Sequence, residues 1–440
     1  AEKSIADSLP RRLNPAVGRI FRFSVIVSSG SARENLWHES SDGVTTVDTQ
    51  TVPRANDLIA EINEIAPLLS EEKPHAEANG RMSDRIADEL CRRGFYRMYR
   101  PRERGGYGFD PVSGFRVVEA LSRFDSSVGW NVAIANACEC FGAYLDDETT
   151  NEIFGPPDTV LAGGLFPPRK AIAVDGGFRV TGKSLFNSNC HAANWFLVEA
   201  ILYDGDTQCL DDDGNPQGLF LFVPASDTEI VDNWDTLGMR GTGSHDVDLQ
   251  DVFVPESRTA PLLPLEYAAP AYSGPMHRLT FWPPVAINGV PALGIAQAAI
   301  DDFIDLAATK VHAYTTNSLR DRQIVQLRVA KAQATLRAAR AYLYATFNEM
   351  WEVAVNGDFL TIDQKADCQQ AATHAVVASA EAVKLIHAVA GTAAIRKDMP
   401  FERYLRDIHV ITQHAFVCES RFEAVGQIRL GLDSNWDFLY

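Results

Sequence analysis

Two stretches decide the reading of this chain: 234–258, WDTLGMRGTGSHDVDLQDVFVPESR, and 178–198, FRVTGKSLFNSNCHAANWFLV. Within the first, Val247 to Val254 reads as a strand that follows a loop of glycine and hydroxyl residues. Just before the second, Asp175-Gly176-Gly177 separates the apolar run Ala171 to Val174 from Phe178-Arg179-Val180, which is a strong hairpin signal. Trp195 to Leu202 and Gly218 to Val223 add further strands. Between about Thr159 and Arg258 the chain therefore predicts a compact β-barrel or sandwich of roughly 100 residues.

Outward from this segment the periodicity changes. Ile59, Ile62, Ile65 and Leu68 recur at threes, and a later run reaches Phe115, Val118, Leu121 and Phe124, both at helical spacing. Pro101 to Gly108 interrupts them as a loop. From about Val285 helical spacing returns through Leu336, Leu343, Phe347 and Met350, then Val376, Ala380, Val383 and His387, the pattern of a helical bundle. The expected organisation is a loose extension over 1–50, a helical domain over 51–156, the β-domain over 157–270 and a helical bundle over 271–440. The extension contains Ile20 to Ser29, which imitates a signal peptide but is broken by Arg22 and preceded by Glu2 and Asp7.

The 440 residues carry a formal charge of -18 and no Lys/Arg-rich run, which argues against a nucleic-acid surface. No stretch of about 18 apolar residues is apparent, so no membrane-spanning helix is expected. Seven cysteines without CxxC spacing fit a reducing compartment, the cytoplasm. Cys138 and Cys140 are the one close pair, and no second Cys/His pair follows at zinc-site spacing, so no metal is expected. No GxGxxG loop follows a strand.

The quoted segments resemble the middle domain of the acyl-CoA dehydrogenase superfamily. The supporting features are the Gly182-Lys183-Ser184-Leu185-Phe186 strand, the Leu237-Gly238-Met239-Arg240-Gly241-Thr242 loop and Asp251-Val252-Phe253-Val254-Pro255. Pro101 to Gly108, Asp125 to Trp130 and Arg406-Asp407 extend the likeness over most of the chain. The resemblance implies an α+β, mainly α fold, with an N-terminal helical domain, a central β-barrel or sandwich and a C-terminal four-helix bundle. Phe186 to Cys190 and Arg240 to Ser244 resemble in particular the two-component flavin-dependent monooxygenases, the phenol and seco-steroid hydroxylase type. That implies reduced FMN or FAD and O2 as co-substrates and a C4a-hydroperoxyflavin as the oxygen donor. It also implies a separate NAD(P)H-dependent flavin reductase, a small organic, in all expectation aromatic, substrate and a homotetramer.

The same resemblance assigns roles. Dehydrogenases of this fold place a glutamate shortly after the Arg-Asp pair; here Arg406-Asp407 is followed by no glutamate, and His414 is the titratable group at about that place. A histidine near its ordinary pKa accepts a phenol proton at neutral pH, which makes His414 the candidate base, with His409 competing on the same helix. Ser188 is placed at the flavin N5 edge, and Phe186 and Phe166 against the cofactor. Arg240, Thr242 and Ser244 are assigned to flavin binding, and Trp130, Asn136 and His414 to the substrate side. For each there is a plainer alternative: a turn serine, core aromatics, a tight hairpin loop or a histidine bonded within the bundle. The segments Ala162 to Pro168 and Ala135 to Cys140 lack the serine-rich stretch and the histidine of the phenol hydroxylases. N- or S-oxygenation, an acyl-CoA dehydrogenase and a silent flavin-fold scaffold remain the alternatives.

Overall fold

The computed structural model describes residues 54–211, 214–261, 272, 274–311 and 315–439. The expected extension over 1–50 and its signal-like run lie outside them. Five helices come first: α1 (Ala55–Asn79), α2 (Asp84–Arg92), α3 (Pro111–Phe124), α4 (Ser126–Glu139) and α5 (Asp147–Phe154). In α1 the buried face is Ala55, Leu58, Ile62, Ile65, Leu69 and Ala76, steps of three, four and finally seven that keep one stripe inward. Asp125 caps α4, its carboxylate accepting from the Ser127 and Val128 amides at 3.0 and 3.2 Å.

Eight strands follow: β1 (Leu161–Val174), β2 (Gly177–Asn187), β3 (Trp195–Asp204), β4 (Thr207–Gln208), β5 (Gly218–Pro224), β6 (Glu229–Val231), β7 (His245–Pro255) and β8 (Thr259–Pro261). The predicted hairpin is present, with Val174 opposite Gly177 and Gly176 at φ +77°. The sheet order is β6-β7-β2-β1-β3-β5-β8, with β4 on β3, and only β1 and β3 run parallel. Inward side chains of β5 (Leu221, Val223) and β7 (Val247, Leu249, Val254) share one apolar cluster although four strands apart, so the sheet curls upon itself.

The C-terminal part comprises α6 (Pro275–Arg278), α7 (Trp282–Ile287), α8 (Val290–Thr309), α9 (Gln323–Val355), α10 (Ile362–Ala390), α11 (Phe401–Ile411) and α12 (Arg421–Arg429). The long helices α8, α9 and α10 pack together, α11 lies against α8 and α10, and α3 packs on α8. At that contact a Cβ on Gly294 would come within 2.6 Å of the Glu119 carbonyl, so only glycine admits α3 so closely. One apolar core runs without a break from the N-terminal helices into this bundle.

One expectation is corrected. Trp282–Thr309 and Ile362–Ile395 are long and apolar enough to cross a membrane by composition. They escaped a search for uninterrupted apolar runs because alanine-rich helices reach the required hydropathy with polar residues scattered through them. The first lies almost wholly inside the molecule, and half of the second is buried, as in the core helices of a bundle.

Candidate active site between sheet, first helical domain and bundle

Two turns meet at the end of the sheet. Phe186 stands at the end of β2 and the turn after it carries Ser188, Asn189 and Cys190; the loop before β7 carries Met239 to Ser244. They are laced together: the Asn189 amide donates to the Thr242 carbonyl at 2.9 Å, Cys190 Sγ to the Gly243 carbonyl at 3.1 Å and Asn187 Nδ2 to the His245 carbonyl at 3.2 Å. Phe186, Asn189 and Met239 adopt positive φ without being glycine, so local strain is concentrated where these turns face each other.

Asp407 supports this arrangement from the bundle. Its carboxylate, 1% exposed, accepts from the Met239 amide at 2.6 Å and from Ser126 Oγ at 2.6 Å. Arg403 bonds both Asp407 and Asp125, at 3.3 and 2.8 Å. Burial opposes ionisation of Asp125, but the Arg403 guanidinium, the Lys73 ammonium and the Val128 amide together outweigh it and hold the carboxyl below its ordinary value. The start of α4, the Met239 loop and α11 are thus tied at one point.

Inside this frame the structure brings several of the sequence-predicted residues together. Trp130 Nε1 donates to Ser188 Oγ at 3.0 Å, Ser188 and Ser244 hydroxyls lie 2.7 Å apart, and Ser244 and Thr242 hydroxyls 2.6 Å apart. The other side of Trp130 meets His414 edge-on, with ring centroids 5.1 Å apart. His414 Nδ1 is buried with no hydrogen-bond partner among the described residues. Burial pulls the His414 imidazole down to about 4, so it is neutral at physiological pH. At the rim, Phe166 and Phe186, on neighbouring strands, are 68% and 61% exposed, and Phe186 meets Trp234 edge-on. Uncovered rings beside a buried hydroxyl chain and an unpaired nitrogen suit a planar heteroaromatic ligand, and thus fit a flavin ring system.

Three residues are placed differently from what the sequence implies. Asn136 is fully buried and its amide is consumed: Oδ1 accepts from the Met98 amide at 2.8 Å, and Nδ2 donates to the Phe95 and Val132 carbonyls at 2.9 and 2.8 Å. It builds the domain and has no capacity left for a substrate. Arg240 donates to the Glu77 carbonyl at 2.9 Å, to Asp235 at 2.9 Å and to the Thr236 carbonyl at 3.0 Å, so its charge anchors the loop to α1. His409 and His414 do not share a helix: α11 ends at Ile411, His409 is exposed on it, and His414 occupies the turn beyond. The turn after Ile411 re-aims the chain, so the two imidazoles are not placed by one helix.

Sequence reasoning missed Arg169. It is 2% exposed and donates to the Gly164 carbonyl at 3.0 Å, to Ser184 Oγ and to the Val247 carbonyl at 3.3 Å. These bonds pin the irregularity between Gly164 and Arg169 that carries Phe166 out of the β1–β3 ladder. An arginine beside two prolines in an otherwise β-patterned run was the available signal. Cys138 is buried, its thiol pushed up to about 12 by burial, and Cys140 bonds back to the Asn136 carbonyl.

The family model for the acyl-CoA dehydrogenase C-terminal domain matches residues 286–419, and that for the acyl-CoA dehydrogenase N-terminal domain matches 62–152. The chain belongs to the flavin-dependent monooxygenases built on the acyl-CoA dehydrogenase fold. It is 33% identical to the indole-3-acetate monooxygenase of Pseudomonas putida over 350 residues, 79% of this chain and 86% of that one. It is 29% identical to the pigment production hydroxylase of Rhodococcus erythropolis, over 86% of this chain and 97% of the relative. The solved HsaA monooxygenase of Mycobacterium tuberculosis superposes with a TM-score of 0.79 at 24% identity, covering 86% of this chain and all of that one.

Proposed function

We propose that this flavin-dependent monooxygenase hydroxylates a small aromatic substrate held between Trp130 and His414, with the flavin ring system over Phe186 and Phe166 and its N5 edge at Ser188. The observation that carries this reading is the buried, unpaired Nδ1 of His414 set edge-on to Trp130, which is itself bonded to Ser188. When bound, reduced FMN or FAD supplies the electrons with which O2 is split between substrate and water. The chain's own groups orient and enclose the reactants. Trp130 fixes the Ser188 hydroxyl, and Phe416, 5.6 Å from His414, closes the imidazole in.

The neutral His414 accepts a hydrogen bond from a phenol O–H or an indole N–H and orients the ring carbon to be oxidised. Lowered to about 4, it holds a full proton only beside the substrate anion it creates, so orientation outweighs proton storage in its role. The HsaA relatives are named oxygenase subunits, and a resorcinol hydroxylase of Rhizobium is named an FADH2-dependent oxygenase component. By likeness to these, the flavin arrives reduced from a separate reductase; we further propose that this reductase uses NAD(P)H, that both proteins work in the cytoplasm and that the oxygenase is a homotetramer.

The test is to supply photoreduced FMN or FAD and air to the purified protein with a panel of phenols and indole acids, following substrate mass by mass spectrometry. A gain of one oxygen atom, lost in His414→Ala while reduced flavin still binds, supports the reading. Turnover of His414→Ala at the wild-type rate removes the assignment.

A further inference from the structure

The hydroxyl chain behind Trp130 has a direction that the structure fixes. Each serine or threonine hydroxyl carries one proton. Thr242 Oγ1 lies 2.8 Å from the Met239 carbonyl oxygen, which can only accept, so the Thr242 proton is committed there. Toward Ser244, 2.6 Å away, Thr242 can then only accept, which commits the Ser244 proton. Ser244 in turn accepts from Ser188 at 2.7 Å, and Ser188 accepts from Trp130 Nε1 at 3.0 Å. Only this assignment satisfies all four contacts. Thr242, Ser244 and Ser188 are at most 5% exposed, so water does not substitute for a broken link. The end of the chain is clamped as well, since Met239 is held through its amide by Asp407 and through its carbonyl by Trp234 Nε1 at 3.1 Å.

Ser188 Oγ is therefore left with a lone pair and no proton. We propose that Thr242 and Ser244 are positioning residues which make Ser188 a pure acceptor, so that the site distinguishes reduced from oxidised flavin. The inference rests on the reading that Ser188 faces the flavin N5 edge. N5 of a reduced isoalloxazine carries a hydrogen and donates to Ser188; N5 of the oxidised ring carries a lone pair and meets another lone pair. The chain thus retains the incoming reduced cofactor and weakens the hold on the spent one, with no residue beyond this chain of hydroxyls required.

The experiment measures dissociation constants for oxidised FMN in air and for reduced FMN under anaerobic conditions, by fluorescence and absorbance titration, then repeats both with FAD. Wild-type protein is expected to bind the reduced form more tightly. In Thr242→Val, Ser244 turns its proton to Ser188, whose own proton becomes available to oxidised N5; Ser244→Ala frees the same proton directly. Both variants are expected to lower the preference for reduced flavin about tenfold, equivalent to about 30 mV in the bound two-electron potential. Thr242→Ser, which restores the hydroxyl, should restore the ratio. An unchanged ratio in both Thr242→Val and Ser244→Ala, with both flavin forms still bound, overturns the proposal and leaves the flavin site standing. Failure of the folded wild-type protein to bind either form overturns the placement of Ser188 and the proposal with it.

Discussion

At the residue scale the environment of His414 differs most from what its residue type suggests. A free histidine titrates near 6.5, but desolvation holds this one at about 4, and the half-buried His277 likewise. The unfolded chain then binds more protons than the folded one between pH 4 and 6.5. Stability is fully present above 6.5 and is lost as pH falls through that window, by at most about 3 kcal/mol for each histidine. Thermal melts between pH 7.5 and 4.5 should fall steeply in the wild type and less steeply in His414→Gln. Asn136 provides the contrasting case. Asn136→Ala strands a buried amide and two carbonyls and is expected to cost roughly 2–4 kcal/mol in chemical denaturation. Its KM for the aromatic substrate should stay at the wild-type value; a specific rise in KM would return Asn136 to the binding site.

At the scale of elements, the site depends on irregularities held by buried charges. Arg169 pins the distortion in β1, and Asp407 pins the loop before β7 to α11 and to the start of α4. Asp407→Asn keeps the shape but leaves Arg403 with less compensating charge, and should lose roughly 3 kcal/mol of stability together with flavin affinity. Because Asp407 touches no ligand in the proposed reading, the turnover lost in Asp407→Asn should be recovered at saturating flavin, whereas the turnover lost in His414→Ala should not. The regular elements were legible in the sequence: the Asp175-Gly176 turn, strands at Trp195 and Gly218 and the amphipathic stripe of α1 all follow from local pattern. The end of α11 at Ile411 was not, because no glycine or proline marks it and the following turn is fixed by contacts of Phe416 and Trp436 with other parts of the chain.

For the molecule as a whole, one apolar core joins the N-terminal helices to the bundle, and the Asp125–Arg403–Asp407 network crosses the same boundary. Ligand bound between these parts should stabilise all of them together. Reduced flavin at a hundredfold excess over its dissociation constant is expected to add about 2.7 kcal/mol, visible as a rise in melting temperature that oxidised flavin reproduces only weakly. Equal stabilisation by both redox forms would count against the directional hydroxyl chain.

The sequence by itself determined the order of helices, sheet and bundle, because apolar periodicity and turn residues act locally. It also marked the Phe186 to Cys190 and Arg240 to Ser244 segments and His414, through their likeness to a known family. Only the tertiary structure decided that Trp130, Ser188, Ser244 and Thr242 form one chain, that Asn136 and Arg240 are spent on the framework, and that His414 is neutral. The contacts that join Ser188 to Trp130 and Ser244, and Ser126 to Asp407, bring together groups 58, 56 and 281 residues apart, and no reading of local pattern contains those pairs.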